Sequence, residues 1–92
     1  MDISYDENKR LRTLQERGLD FADASLVFDD VHFDIPDDRT DYGEPRILTF
    51  GTLRGRAVSL VWTPRDGTRR IISMRYANDR ERARYGQHLG GS

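Results

Sequence analysis

Apolar residues along this chain follow two rhythms. Between Asp6 and Arg17 only Leu11 and Leu14 stand out from polar sequence, three apart, as on one face of a helix. Asp6 is suited to cap that helix and Gly18 to end it. Phe21, Ala24, Val27 and Phe28 then recur at three- and four-residue steps. They predict a short second helix over 21–28, with Asp20 as its cap and the stripe in the core. From Val31 the period changes to two: Val31, Phe33 and Ile35 alternate with polar residues and predict a strand. Residues 36–45, PDDRTDYGEP, are a polar connector. Arg46–Leu53 and Arg56–Thr63 follow as strands, joined in a hairpin at Arg54-Gly55. Pro64-Arg65-Asp66-Gly67 is a second turn, leading into a strand over Arg69–Ala77. Asn78, with Glu81 three positions on, has the capping-box pattern for a last helix that ends near Gly86. Residues 87–92 are expected to be a flexible tail.

The predicted order is ααββββα. It describes an α+β domain, with two N-terminal helices on one face of a four-stranded antiparallel sheet and a C-terminal helix. Alternation along the last strand sets Ile72, Met74 and Tyr76 on one side, the better core candidates. Ile71, Ser73, Arg75 and Ala77 fall on the other. A chain of 92 residues makes one domain, 1–92, with a thin core. It has no cysteine, which excludes disulfides and thiolate metal sites. No apolar run approaches the roughly 20 residues that span a bilayer. MDISYDENKR also lacks the pattern of a signal peptide. The cytoplasm is the expected address, with no membrane partner.

Charge changes the picture. The net charge of −1 hides a division: residues 1–44 carry thirteen Asp/Glu against five Lys/Arg, and residues 45–92 carry three against ten. Such asymmetry points toward a polyanion at the basic end. Six arginines fall in residues 69–86, RRIISMRYANDRERARYG. On the last helix Arg80 and Arg84 share a face, as do Glu81 and Tyr85. With Arg46, Arg65 and Arg75 they could frame a phosphate, which guanidinium matches bidentately. Tyr76 and Tyr85 offer stacking faces for single-stranded RNA. The competing reading is that the arginines pair with acids of the first half. It is favoured for Arg69, Arg70, Arg80 and Arg82, and for Arg75 both readings stand open.

Asp6 with Lys9, ERGLDFADASLVFDD, GEPRILTFG and RRIISMRYANDRERARY together resemble the BrnT family, the ribonuclease toxins of bacterial type II toxin–antitoxin pairs. The resemblance runs over residues 6 to 85. It implies a RelE-like fold, RNA cleavage, and neutralisation by a BrnA-like antitoxin with a DNA-binding domain. It further implies a hetero-oligomer that meets promoter DNA only through that antitoxin. Where the family often reads N-x-x-K-H-G, this chain has Thr13, Glu16 and Arg17 before Gly18. Glu44 and Arg46 match the family's G-E-x-R segment, Arg75 the arginine after the isoleucine pair, and Tyr85 the late tyrosine.

Metal-free RNA cleavage proceeds by attack of the ribose 2′-OH on its own phosphate. His32 and His88 are the only histidines, one in the acidic half and one in the tail, and neither is assigned a catalytic part. The expected catalytic residues are Glu44, Arg46, Arg75 and Tyr85. Glu44 is a base candidate or else a plain ion-pair partner of Arg46, and the arginines stabilise charge on the phosphorane. Lys9, Arg17, Arg65, Arg80 and Arg84 are the expected RNA contacts. No metal or cofactor is expected. The acidic run from Asp29 to Asp41 lacks the glycine and terminal glutamate of a calcium loop. Two functions compete with the nuclease: a non-catalytic antitoxin-binding module acting in promoter autoregulation, and RNA binding without cleavage.

Overall fold

The computed structural model describes residues 2–39 and 41–89, without the side chain of His88. Asp6 starts helix α1 (Glu7–Arg17) by accepting the Lys9 N–H, and Gly18 ends it in the left-handed conformation at φ 71°. A 3₁₀ turn (Phe21–Asp23), capped by Asp20, runs into α2 (Ala24–Asp29). Phe21, Ala24, Val27 and Phe28 are all buried, as their spacing predicts. Helix α1 does not bury the face that carries its leucines: Leu11 and Leu14 are 50% and 39% exposed, and no residue of α1 is buried. Two leucines in a polar helix make too narrow a stripe to bury. The helix is tied down instead by Arg10, which donates to Asp20 at 2.8 Å, and by Arg17, which donates to the Met74 carbonyl at 2.9 Å.

The sheet has five strands, not four, in the order β1-β5-β4-β3-β2. Strand β1 (Ile3–Tyr5) lies parallel to β5 (Thr68–Tyr76), so the sheet is mixed, and a strand, not a helix, is the first element of the described residues. Three residues are too few to display a period, and β1 forms only because β5 offers it an edge. The other strands are β2 (Phe33–Pro36), β3 (Ile47–Leu53) and β4 (Arg56–Arg65), all antiparallel neighbours. Val31 lies outside β2 and is 55% exposed. Both hairpins turn on two residues with positive φ: Arg54 and Gly55 at 50° and 80°, Asp66 and Gly67 at 54° and 77°. Such turns match the twist of the strands they join. Helix α3 (Asp79–Tyr85) has its predicted capping box, and a 3₁₀ turn (Gly86–Leu89) follows. Of the expected tail, residues 87–89 belong to that turn and 90–92 lie outside the described residues.

The register in β5 overturns one expectation. Val61 faces Ser73 but Trp62 faces Ile71, so Ile72 is an extra residue in a β-bulge. The bulge reverses the alternation. Ile71, not Ile72, joins Met74 in the core, and the two are 1% and 0% exposed. The inner face thus carries Val58, Leu60, Trp62, Ile71 and Met74 against Phe21, Ala24, Val27 and Phe28. Within it, Thr49 accepts the Trp62 indole N–H at 2.8 Å and donates to Asp34 at 2.6 Å, so the polar groups of Thr49 and Trp62 are satisfied. The outer face carries a cross-strand row, Phe33, Phe50, Ser59 and Arg75, each opposite the next.

Helix α2 approaches β3 at Gly51, where a Cβ would lie 2.6 Å from Val27 Cγ1. Valine is stiff and this one is fully buried, so neither side can yield cheaply. Gly51→Ala is expected to lower stability by about 1–3 kcal/mol. Urea unfolding checks it, as a lower midpoint with an unchanged slope.

Candidate active site

Helix α3 lies over the outer-face row. The ring of Tyr85 meets those of Phe33 and Phe50 at centroid distances of 5.5 and 5.7 Å. One turn earlier, Glu81 takes both arms of Arg75: Nη1 donates to Oε1 at 2.6 Å and Nη2 to Oε2 at 2.7 Å. The same carboxylate accepts the Asn78 N–H at 3.0 Å as the far half of the capping box. The Arg75 bonds hold the Glu81 carboxyl below its ordinary value, against the opposing effect of burial. Arg75 is held in its charged form chiefly by its hydrogen bonds to Glu81, against burial and, to a smaller extent, the like charge of Arg39.

Beside this pair lies a cavity of about 340 Å³ lined by Arg39, Arg75, Glu81, Arg84 and Tyr85. An adjoining cavity of about 580 Å³ is lined by Tyr42, Glu44 and Arg46, and the two share Pro36, Asp37 and Asp38. Glu44 there bridges two arginines, Arg65 at 3.0 Å and Arg46 at 3.4 Å. The Arg46 guanidinium also lies 3.9 Å over the Tyr42 ring.

The expected residues therefore divide. Arg75, Arg84 and Tyr85 meet in one cavity, whereas Glu44, Arg46 and Arg65 form a cluster at the other. Arg80 is exposed and lines neither. Lys9 sits exposed on α1, and Arg17 is spent on a backbone carbonyl of β5. Both belong to the side of the sheet away from α3. Of the arginines expected to pair with acids, Arg82 does so with Asp79. Arg69 instead stacks its guanidinium 4.0 Å over Phe28 and 5.1 Å over Trp62. Sequence reasoning missed Glu81 as the partner of Arg75, although the capping box placed it at the start of α3. It also missed Arg39, whose acidic neighbours make it look like solvated loop.

The model of the family described as "Ribonuclease toxin, BrnT, of type II toxin-antitoxin system" matches residues 5–81. The chain belongs to the BrnT family. No curated protein matches it significantly. The match takes in Arg39, Glu44, Arg46, Arg65, Arg75 and Glu81, and it stops short of Arg84 and Tyr85. A BrnT toxin of a type II system has RNA as its target and an antitoxin as its partner. No helix among the described residues is long and apolar enough to cross a membrane.

The sign of the Glu81 shift sets a pH window. A carboxyl whose folded value lies below its unfolded one stabilises the fold above the unfolded value, here near 4.5, and loses that contribution as pH falls below it. Asp20 and Asp37, each bonded to an arginine, act in the same direction. Glu81→Gln is expected to be less stable than the parent at pH 7 and to lose less stability between about pH 5 and pH 3. Urea midpoints at the two ends of that range check both.

Proposed function

We propose that the protein is an endoribonuclease that cleaves RNA without a metal, at the cavity beneath α3. The observation that carries this reading is the meeting of Arg75, Arg84 and Tyr85 at one cavity, with the Arg75 fork already aligned by Glu81. A guanidinium fixed before substrate arrives stabilises the phosphorane without reorganising, which is where such groups contribute most. Arg84 has no ion-pair partner among the described residues; its guanidinium lies 5.6 Å over the Tyr85 ring, and its donors are the ones assigned to a phosphate oxygen. Glu81 is a poor base, since both its oxygens are bonded and its proton affinity is lowered. Glu44, in the adjoining cavity, is the carboxylate assigned to take the 2′-OH proton from RNA lying across both. Tyr85 brings the only hydroxyl among the described residues lining the smaller cavity, and its part is to assist the leaving 5′-oxygen.

In the cell a BrnA-like antitoxin with a DNA-binding domain would cover this site. Promoter DNA would be met only through that partner, in a hetero-oligomer in the cytoplasm. The whole chain acts as one toxin domain. One observation favours a second reading, that of a non-catalytic module held by the antitoxin. Glu44 is bonded to two arginines and Arg75 is bonded to Glu81, so much of the charge is spent within the fold.

A gel assay on single-stranded RNA in EDTA separates the two. The parent is expected to cut, and Arg75→Ala to cut about 10²–10³-fold more slowly with an unchanged circular dichroism spectrum. Intact RNA with a folded parent would favour the partner-binding module instead.

A further inference from the structure

Arg39 comes from the acidic half of the chain, between Asp38 and Thr40 in the connector after β2. Arginines in polar loops are usually mobile and hydrated, but this one is fastened. Its Nε donates to Asp37 Oδ1 at 2.7 Å and its Nη2 to Oδ2 at 2.8 Å. The Asp37 side chain is only 2% exposed, whereas that of Arg39 is 68% exposed. Asp37 is itself anchored, since its N–H donates to the Arg46 carbonyl at 2.8 Å and extends the β2–β3 ladder by one step. A buried carboxylate on a rigid ladder thus grips two of three guanidinium nitrogens, with the Tyr42 side chain as a lesser partner, and holds the exposed guanidinium where it lines the cavity. Burying a carboxylate beside a loop is costly unless its partner stays in place.

The same cavity is lined by Arg75, which is also held by one carboxylate, Glu81, here through both Nη nitrogens. Both cations line one cavity, and the charge of Arg39 weighs, as the smallest of several causes, against that of Arg75. Two guanidiniums lining one cavity are relieved by an anion between them, and a phosphate accepts from both. Three arginines and three acids line this cavity, so long-range attraction is weak there. Recognition must come from donors aimed at short range.

We propose that Arg39 is a catalytic residue that binds the scissile phosphate of RNA opposite Arg75, and that Asp37 is the positioning residue that aims it. The assignment rests on the nuclease reading above. Asp37 and Glu81 act alike, each turning a flexible arginine into a fixed fork from opposite sides of the phosphate.

The test uses the full chain, a single-stranded RNA for cleavage and its 2′-O-methyl analogue for binding without reaction. Arg39→Ala alone would strand the buried Asp37, so the variants are Arg39→Lys, Arg39→Ala with Asp37→Asn, and Asp37→Asn alone. Arg39→Lys keeps a charge beside Asp37 but loses the fork. It is expected to keep the parent's urea midpoint and cut at least about tenfold more slowly, since the planar donors are gone. The double variant is expected to fold, to cut on the order of 10²-fold more slowly, and to bind the analogue more weakly. Asp37→Asn alone is expected to lower kcat several-fold with little change in KM, the mark of lost aim rather than lost binding. Parent-like cleavage by Arg39→Lys and by the double variant, beside an inactive Arg75→Ala, would overturn the role of Arg39 and leave the nuclease reading standing. A folded parent that leaves RNA intact would overturn both.

Discussion

The carboxylate of Glu81 takes two hydrogen bonds from Arg75, at 2.6 and 2.7 Å, and a third from the N–H of Asn78, at 3.0 Å. These bonds do three things with one group. They close the N-terminus of α3, fix the rotation of that helix about its axis, and hold the Arg75 fork against the sheet. A helix of seven residues is too short to persist on its own. Its place is therefore set by tertiary contacts, and the two that matter lie one turn apart. Once Glu81 is on Arg75, Tyr85 falls over Phe33 and Phe50, because residues four apart share a helix face. The Glu81 side chain is 12% exposed and that of Arg75 38%, so the pair is screened less than the surface pairs whose worth is about 0–1 kcal/mol.

The outer-face row explains why the partner residues come from such different parts of the chain. Phe33, Phe50, Ser59 and Arg75 are contributed by four strands, yet the ladder sets them side by side. Polarity changes along that row, from two rings to a hydroxyl to a cation. Helix α3 matches it with a tyrosine over the rings and a carboxylate over the cation. The bulge at Ile72 makes this compatible with the core. Under strict alternation Ile71 would share a face with Arg75, so β5 could not keep Arg75 outward and Ile71 inward beside Met74.

Much of this was legible in the sequence, and the failures have physical reasons. Caps and turns are local chemistry: Asp6, Asp20, Asn78, Arg54-Gly55 and Asp66-Gly67 all act where their residue types say they should. The stripe of Phe21, Ala24, Val27 and Phe28 was wide enough to be decisive. Strand β1 was invisible because its stability lies in its pairing with β5. The bulge was invisible because alternation assumes one residue per step. At the site, Arg75 and Tyr85 were found by type and spacing, but their relation to Glu81 needed the fold, since one carboxylate serves as both cap and ion-pair partner. Arg39 was hidden by its setting among aspartates, one of which buries itself to hold it.

The charge division along the sequence does not survive folding as two charged sides. Acids of the first half reach arginines of the second, as Asp23 does Arg54 and Glu44 does Arg65, while Arg10–Asp20, Arg39–Asp37 and Arg75–Glu81 pair within their own halves. Other arginines are packing elements: Arg69 lies over Phe28 and Trp62, and Arg56 lies 3.8 Å over Tyr76. Counting arginines therefore overstates how many are available to a phosphate. Guanidinium suits all three uses because it is planar, weakly hydrated and always charged. What separates a phosphate ligand from a brace or a stacking plate is whether donors remain aimed into open space after the internal partner is satisfied. By that criterion the cavity under α3 matters more than the basic sequence around it. Arg39 and Arg75 face it with part of each fork already fixed, and Arg84 faces it with no ion-pair partner among the described residues.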